Sequence, residues 1–300
     1  MLPAVAAIAL YSTVSAQPGT TGMSFLKIGV GARNVAMGET GVAGAQGGEQ
    51  LFFNPSLAMN EERSCLSIMH QESVQDITTQ YLGAIVLFDG WRMGASLHLS
   101  SVEGVEVRTK PGEAVGEFTS RNFALGLSFA AHLGDAVAIG AGGKVLFEKV
   151  YVDEAGGFAL DAGIHLRPFS AESLRDLTFG ASVANIGSMG KLRNEPTSLP
   201  VTARCGASYM VPVRSVEGAL RMELDAVAIP KEERVHVHGG LEAGYRETIF
   251  FRIGYMSGYE LKNVSAGAGV AYGGVRLDYA IVPYADSFGT VHTFSLSLGL

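Results

Sequence analysis

The sequence predicts an all-β fold: a single antiparallel transmembrane β-barrel of about fourteen strands, preceded by a short N-terminal plug segment. Three observations carry that expectation. Apolar residues make up 47% of the 300 residues and charged residues only 17%, against about a quarter in a typical soluble domain, so little surface is built to face water. Even so, no apolar run approaches the roughly twenty residues of a membrane-crossing helix. Past residue 60, apolar and polar residues alternate with period two, the pattern of strands with two unlike faces.

The elements follow in chain order. Leu2 to Leu10 form an apolar core, and small residues ending Val14-Ser15-Ala16 follow it, so residues 1–16 read as a signal peptide cleaved after Ala16. The basic residue that usually precedes such a core is missing. A buried N-terminal helix is the competing reading, and the polar stretch from Tyr11 to Ser15 weighs against it. Residues 17–60 are rich in small side chains, and Asn54-Pro55 breaks the chain before the first strand. Too small for a domain, the segment reads as a plug folded into the lumen of a barrel spanning 61–300.

Strands are expected near 63–70, 77–88, 91–101, 118–133, 136–150, 157–167, 175–185, 200–211, 216–228, 233–246, 248–258, 263–272, 275–283 and 290–300. Their faces differ in kind. Leu220, Met222 and Leu224 oppose Arg221, Glu223 and Asp225, and Val235, Val237 and Leu241 oppose His236, His238 and Glu242. Ile249, Phe251 and Ile253 oppose Arg252, and Val275 and Leu277 oppose Arg276 and Asp278. Charges on one face and apolar residues on the other fit a polar lumen inside a lipid-facing wall. A soluble β-sandwich would alternate too, but with well-charged outer faces. Connection lengths give an independent test, since periplasmic turns are short and extracellular loops longer. Asp89-Gly90, Gly134-Asp135, Pro212 to Ser215, Arg246-Glu247 and Gly273-Gly274 fall at even-numbered connections, with 168–174 the exception among them, while the two longest, 102–117 and 186–199, are odd-numbered. Trp91, Tyr151, Tyr259 and Tyr284 lie near strand ends, where amphipathic rings favour the membrane interface.

Chemistry beyond this is sparse. A net charge of −7 without a basic cluster speaks against nucleic acid. Gly29-Val30-Gly31 lacks the strand and helix of a nucleotide loop and reads as close backbone packing. His236 and His238 share a strand face but have no third ligand, so no metal is assigned. No nucleophile elbow or Ser-His-Asp order is present, so neither an enzyme nor a cofactor is expected. Cys65 and Cys205 read as two buried thiols rather than a bridge. Gly140-Ala141-Gly142-Gly143 and Gly267-Ala268-Gly269 could mark a broken strand and a lateral opening, but read better as bends or tight packing.

Phe25 to Ala43 carries Gly29, Gly31, Ala32, Arg33, Met37, Gly38 and Gly41 in the order Phe-Leu-x-Ile-Gly-x-Gly-Ala-Arg-x-x-x-Met-Gly, and Phe53-Asn54-Pro55-Ser56-Leu57-Ala58 follows. With Pro283-Tyr284, Phe288-Gly289 and Ser295-Leu296 near the end, this pattern resembles the PorV/PorQ family, relatives of the FadL-type channels. The resemblance implies a fourteen-stranded barrel whose N-terminal segment enters the lumen. It also implies a role in type IX-like protein secretion and surface delivery, with a translocon and secreted cargo as partners beside outer-membrane lipid. A FadL-like uptake channel, holding a hydrophobic ligand in the lumen, is the alternative.

Overall fold

The computed structural model describes residues 21–108, 110, 112–169, 171, 174–193, 195–286 and 288–300. The expected signal peptide, 1–16, lies outside them. Fourteen antiparallel strands close into one barrel. They are β1 (Cys65–Glu72), β2 (Ile77–Phe88), β3 (Trp91–Val107), β4 (Gly116–His132), β5 (Val137–Val150), β6 (Asp153–Leu166) and β7 (Leu177–Met189). The second half comprises β8 (Thr202–Val213), β9 (Gly218–Ile229), β10 (Arg234–Tyr245), β11 (Ile249–Met256), β12 (Val264–Tyr272), β13 (Val275–Tyr284) and β14 (Gly289–Gly299). Each strand pairs with its sequence neighbours, and β1 closes on β14 with Cys65 opposite Gly299.

Alternation places the faces as the sequence predicts. On β9, Glu223 is 5% exposed and Leu224 59%; on β10, His236 is 3% and Val237 45%. Phe129, Phe158, Phe251, Ile253 and Leu277 continue the exposed apolar belt around the wall. Among the described residues no helix is long and apolar enough to cross a membrane; the strands cross it. With apolar side chains outside and every strand edge paired, the wall meets the bilayer's demand that backbone polar groups be satisfied internally. The ends differ as expected: even-numbered connections include the tight turns at 89–90 and 273–274, and odd-numbered ones include 108–115 and 190–201. The end bearing the latter is the outer one by that rule.

Four details differ from expectation. Strands β3 and β4 run well past 101 and start before 118, pairing Glu106 with Glu117 beyond a register shift between Val102 and Val105. The loop foreseen at 102–117 thus shrinks to 108–115, because past the register shift the ladder resumes with Val105, Glu106 and Val107 opposite Phe118, Glu117 and Gly116. Likewise β6 begins at Asp153 and β7 reaches Met189. Cys205 is exposed on the outer face and only Cys65 is buried, since residue parity on β8 turns Cys205 outward and Arg204 inward. Tyr259 and Tyr284 turn inward against the buried Met256 and Val282, while Trp91 stays outside, stacked on Phe88 at 4.2 Å. The glycine runs on β5 and β12 keep unbroken register. A second irregularity of the wall lies between β6 and β7, where Leu160 faces Ile186 but Ala162 faces Val183. There Asn185 takes a left-handed φ of 65° and its amide donates to Asp161.

Residues 21–60 fill the lumen as short helical turns: Ser24–Lys27, α1 (Ala32–Ala36), Gly47–Glu49, α2 (Gln50–Phe53) and Pro55–Asn60. Asn54 caps the last of these, its carbonyl oxygen accepting from the Ser56 amide and hydroxyl, with Pro55 setting the first turn. Contact with the wall is backbone to backbone. A Cβ on Gly48 would stand 2.2 Å from the Gly83 oxygen, and one on Gly254 2.0 Å from the Gly38 nitrogen. Gly140 similarly abuts Ser56, and Gly267 abuts Ala36, so these strand glycines are packing sites.

Candidate functional site

The plug is tied to the wall by buried charge. Arg33, at the start of α1, reaches Glu242 through Nε at 3.0 Å and Nη2 at 3.1 Å, and Glu223 at 3.4 Å. Register explains what meets it there. Arg221, Glu242 and Arg252 stand directly opposite one another across β9, β10 and β11. Glu242 also meets Arg252 at 2.6 Å, Arg276 at 3.3 Å and Arg221 at 3.6 Å, and Asp278 bridges Arg252 and Arg276 at 2.9 and 3.0 Å. One carboxylate therefore serves four guanidinium groups. Burial alone would push Arg33 toward neutrality, but the Glu242 and Glu223 carboxylates outweigh it and hold the pKa above the usual arginine value.

The other motif residues bind the plug elsewhere. The Ala32 amide donates to Ser295, the Gly38 amide to Ser265, and the Gly41 and Val42 amides both to Asp225 Oδ2, at 2.8 and 3.0 Å. Asn54 Nδ2 donates to the Val42 and Ile164 carbonyls. Gly31 and Gly38 take left-handed φ values of 81° and 73° at either end of α1. Gly29 packs against the Glu39 side chain and Met37 is fully buried; Pro55 follows its cap. These residues anchor the plug, and the structure brings Arg221, Glu223, Glu242, Arg252, Arg276 and Asp278 together around Arg33.

His236 and His238 lie apart from that cluster, at the outer end. Tyr259, from the β11–β12 connection, folds over them, stacked on His236 at 4.0 Å and hydrogen-bonded to His238 Nε2 at 3.0 Å. Beside it Lys262 pairs with Glu39 of the plug. The Glu39 carboxyl is raised by burial but lowered further by Lys262, leaving it below the usual carboxylate range. Below this lid lies a cavity of about 310 Å³ between plug and wall, bounded by Ile28, Phe52, Phe53, Arg204, Val227 and Tyr259 among others. A second cavity of about 820 Å³ opens at the inner end beside Arg63, Glu61, Arg175 and Arg276, and shares no lining residue with the first. Among the described residues no cluster of His, Cys, Asp and Glu could hold a metal ion.

Sequence reasoning missed Arg204, Glu39, Lys262, Glu49 and the Lys144–Asp161 pair at 2.8 Å. Parity could have found Arg204, the one charged residue on the inward face of β8, among Thr202, Gly206 and Ser208. Glu39, Glu49 and Lys262 sit in segments without periodicity and give no such signal.

No family model matches the chain, and no curated protein matches it in sequence. Solved structures do. The CymD monoaromatic hydrocarbon channel superposes with a TM-score of 0.62 at 13% identity, covering 91% of this chain and 98% of that one. A TodX deltaS2S3 mutant monoaromatic hydrocarbon channel gives 0.61 at 14%, covering 91% and 99%. A Pseudomonas aeruginosa FadL homologue gives 0.53 at 10%, covering 89% and 97%. At such identities the likeness concerns the fold, and it extends over nearly the whole of both chains. The protein is an outer-membrane β-barrel with the fold of the FadL-like channels.

Proposed function

We propose that this barrel is an uptake channel for hydrophobic small molecules. The observation that carries the reading is the outer cavity, a space between plug and wall with Ile28, Phe52, Phe53, Val227 and Ile229 on its surface. Ligand sites combine apolar walls with placed polar groups, and here Lys27, Glu39, Arg204, Glu232, Arg234 and Lys262 stand among the apolar residues. The barrels that share the fold over most of their length include two described as monoaromatic hydrocarbon channels. In this reading the plug forms the floor of the binding cavity, and Tyr259 covers it from outside. The network around Arg33 keeps the floor in place while ligand occupies the site. Uptake of labelled toluene by cells producing the chain tests this. The initial rate is expected to exceed that of cells lacking it several-fold and to fall to background in Phe52→Asp, which sets a charge in the cavity. Equal rates with and without the protein sink the proposal.

A second reading is the secretion role of the PorV/PorQ resemblance, favoured by the motif from Phe25 to Ala43 and by Asn54-Pro55, which build the plug. A translocon and cargo would then be the partners, with lipid around the belt in either case. Crosslinking in native membranes separates the two readings. Recovery of a large translocon protein and exported cargo supports secretion, and their absence from a barrel that takes up toluene supports the channel.

A further inference from the structure

We infer that the outer cavity takes an anionic ligand, a small carboxylic acid with an aromatic or short aliphatic body, whose carboxylate is received by Arg204. The inference rests on the channel reading and narrows its substrate class. Four cations line the cavity, Lys27, Arg204, Arg234 and Lys262, against two carboxylates, Glu39 and Glu232. Three of the cations are answered. Lys27 meets Glu232 at 2.6 Å, Lys262 meets Glu39, and Arg234 meets Glu260 at 3.5 Å.

Arg204 is different. It is 8% exposed, and among the described residues it has neither an ion-pair partner nor a hydrogen-bond acceptor. Its guanidinium instead lies over two rings, 5.1 Å from the centre of Phe52 and 5.8 Å from that of Phe53. The carboxylates of Asp225, Glu39 and Asp161 act on it only from beyond ion-pair distance, and a buried cation whose donors have no direct partner is costly, so a fold keeps one most readily where an anion arrives. Stacking on a ring occupies the face of the guanidinium and leaves its edge donors for a planar, bidentate acceptor such as a carboxylate. Phe52, Phe53 and Ile28 offer apolar contact to the rest of the molecule. The volume sets its size: about 150 Å³ suffices for benzene, so about 310 Å³ takes a single-ring acid and excludes an extended long acyl chain.

Calorimetry on the detergent-purified full chain at pH 7.5 tests this with benzoate and its neutral counterpart toluene. Wild type is expected to bind benzoate about tenfold or more tightly than toluene, the scale of a charge-assisted hydrogen bond. Arg204→Met should lose that preference while still binding toluene, and Arg204→Lys should keep part of it. Heat-modifiable migration on gels shows whether each variant folds, and the comparison of two probes on wild type needs no variant at all. Toluene bound as tightly as benzoate by wild type, or benzoate bound equally by wild type and a folded Arg204→Met, overturns the inference and leaves the channel reading standing. If wild type binds neither probe, both fall.

Discussion

Glu242→Gln keeps the shape of the side chain and removes the charge on which four arginines converge. The cluster holds four guanidinium groups, those of Arg33, Arg221, Arg252 and Arg276, against three carboxylates, Glu223, Glu242 and Asp278. The substitution leaves four against two in a site where Arg252 and Glu242 are 2% and 6% exposed. Removing one partner of a buried pair costs about 3–5 kcal/mol. Arg33→Met, by contrast, leaves three against three. It loses three hydrogen bonds to carboxylates, at 3.0, 3.1 and 3.4 Å, and one to the Gly44 carbonyl, but also removes the excess positive charge, so about 2 kcal/mol is expected. The order is the test: losing the carboxylate should be worse than losing the arginine that reaches it from the plug. Hydrogen exchange read by mass spectrometry reports it directly, because the Gly38, Gly41 and Val42 amides donate to wall side chains and are held only while the plug is seated. At about 1.4 kcal/mol per factor of ten, Glu242→Gln should speed their exchange roughly a hundredfold or more, and Arg33→Met roughly thirtyfold. Amides of β3 to β5, away from the cluster, should not change. Plug exchange within threefold of wild type in Glu242→Gln, or a larger effect from Arg33→Met, would refute the reasoning.

Three further predictions follow from other parts of the fold. Gly83→Ala puts a Cβ 2.4 Å from the Gly48 oxygen and should lower stability by about 1–3 kcal/mol, seen as an earlier loss of the compact band on heated gels, whereas Gly116→Ala, in open space, should leave that temperature unchanged. Burial pushes the Glu49 carboxyl from 4.5 up to about 7. Its folded pKa lies above the unfolded one, so its contribution is present below pH 4.5 and lost as the pH rises through 7, about 3 kcal/mol in all. Glu49→Gln should therefore raise the melting midpoint at pH 8.5 and leave it unchanged at pH 4; an equal shift at both would show that charge is not the cause. A lipid-soluble maleimide should label Cys205 and spare Cys65 in the folded barrel, and the reverse pattern would mean that the faces of β8 are misassigned.

The wall was legible because period two is a local signal, and Leu224 beside Glu223 states which way each residue points. It ceased to be legible where β3 shifts register between Val102 and Val105, with Gly104 at a left-handed φ of 65°, because the period breaks there before Val105, Glu106 and Val107 resume it. The plug was legible as a segment, from its small residues and Asn54-Pro55, but its chemistry was not. Arg33 in a glycine-rich stretch carries no mark of its partners, which come from β9 and β10, 190 and 209 residues away. Arg204 was hidden differently: on a strand face with no other charge it looks incidental, and only the placement of Phe52 and Phe53 beneath it reveals a guanidinium stacked on rings rather than held in an ion pair.

The seam between β1 and β14 sets the order in which the molecule can form. Cys65 lies opposite Gly299 and Glu72 opposite His292, so the first strand waits for the last. Such a contact spans nearly the whole sequence, and closing it carries the entropy of the longest loop the chain can make. Until then the curling sheet has two open edges, each able to pair with a neighbouring chain. Once closed, the barrel holds the plug with its backbone against the wall at Gly48–Gly83 and Gly38–Gly254. A chain cut before Gly289 is accordingly no narrower pore: it is an unclosed sheet with an adhesive margin.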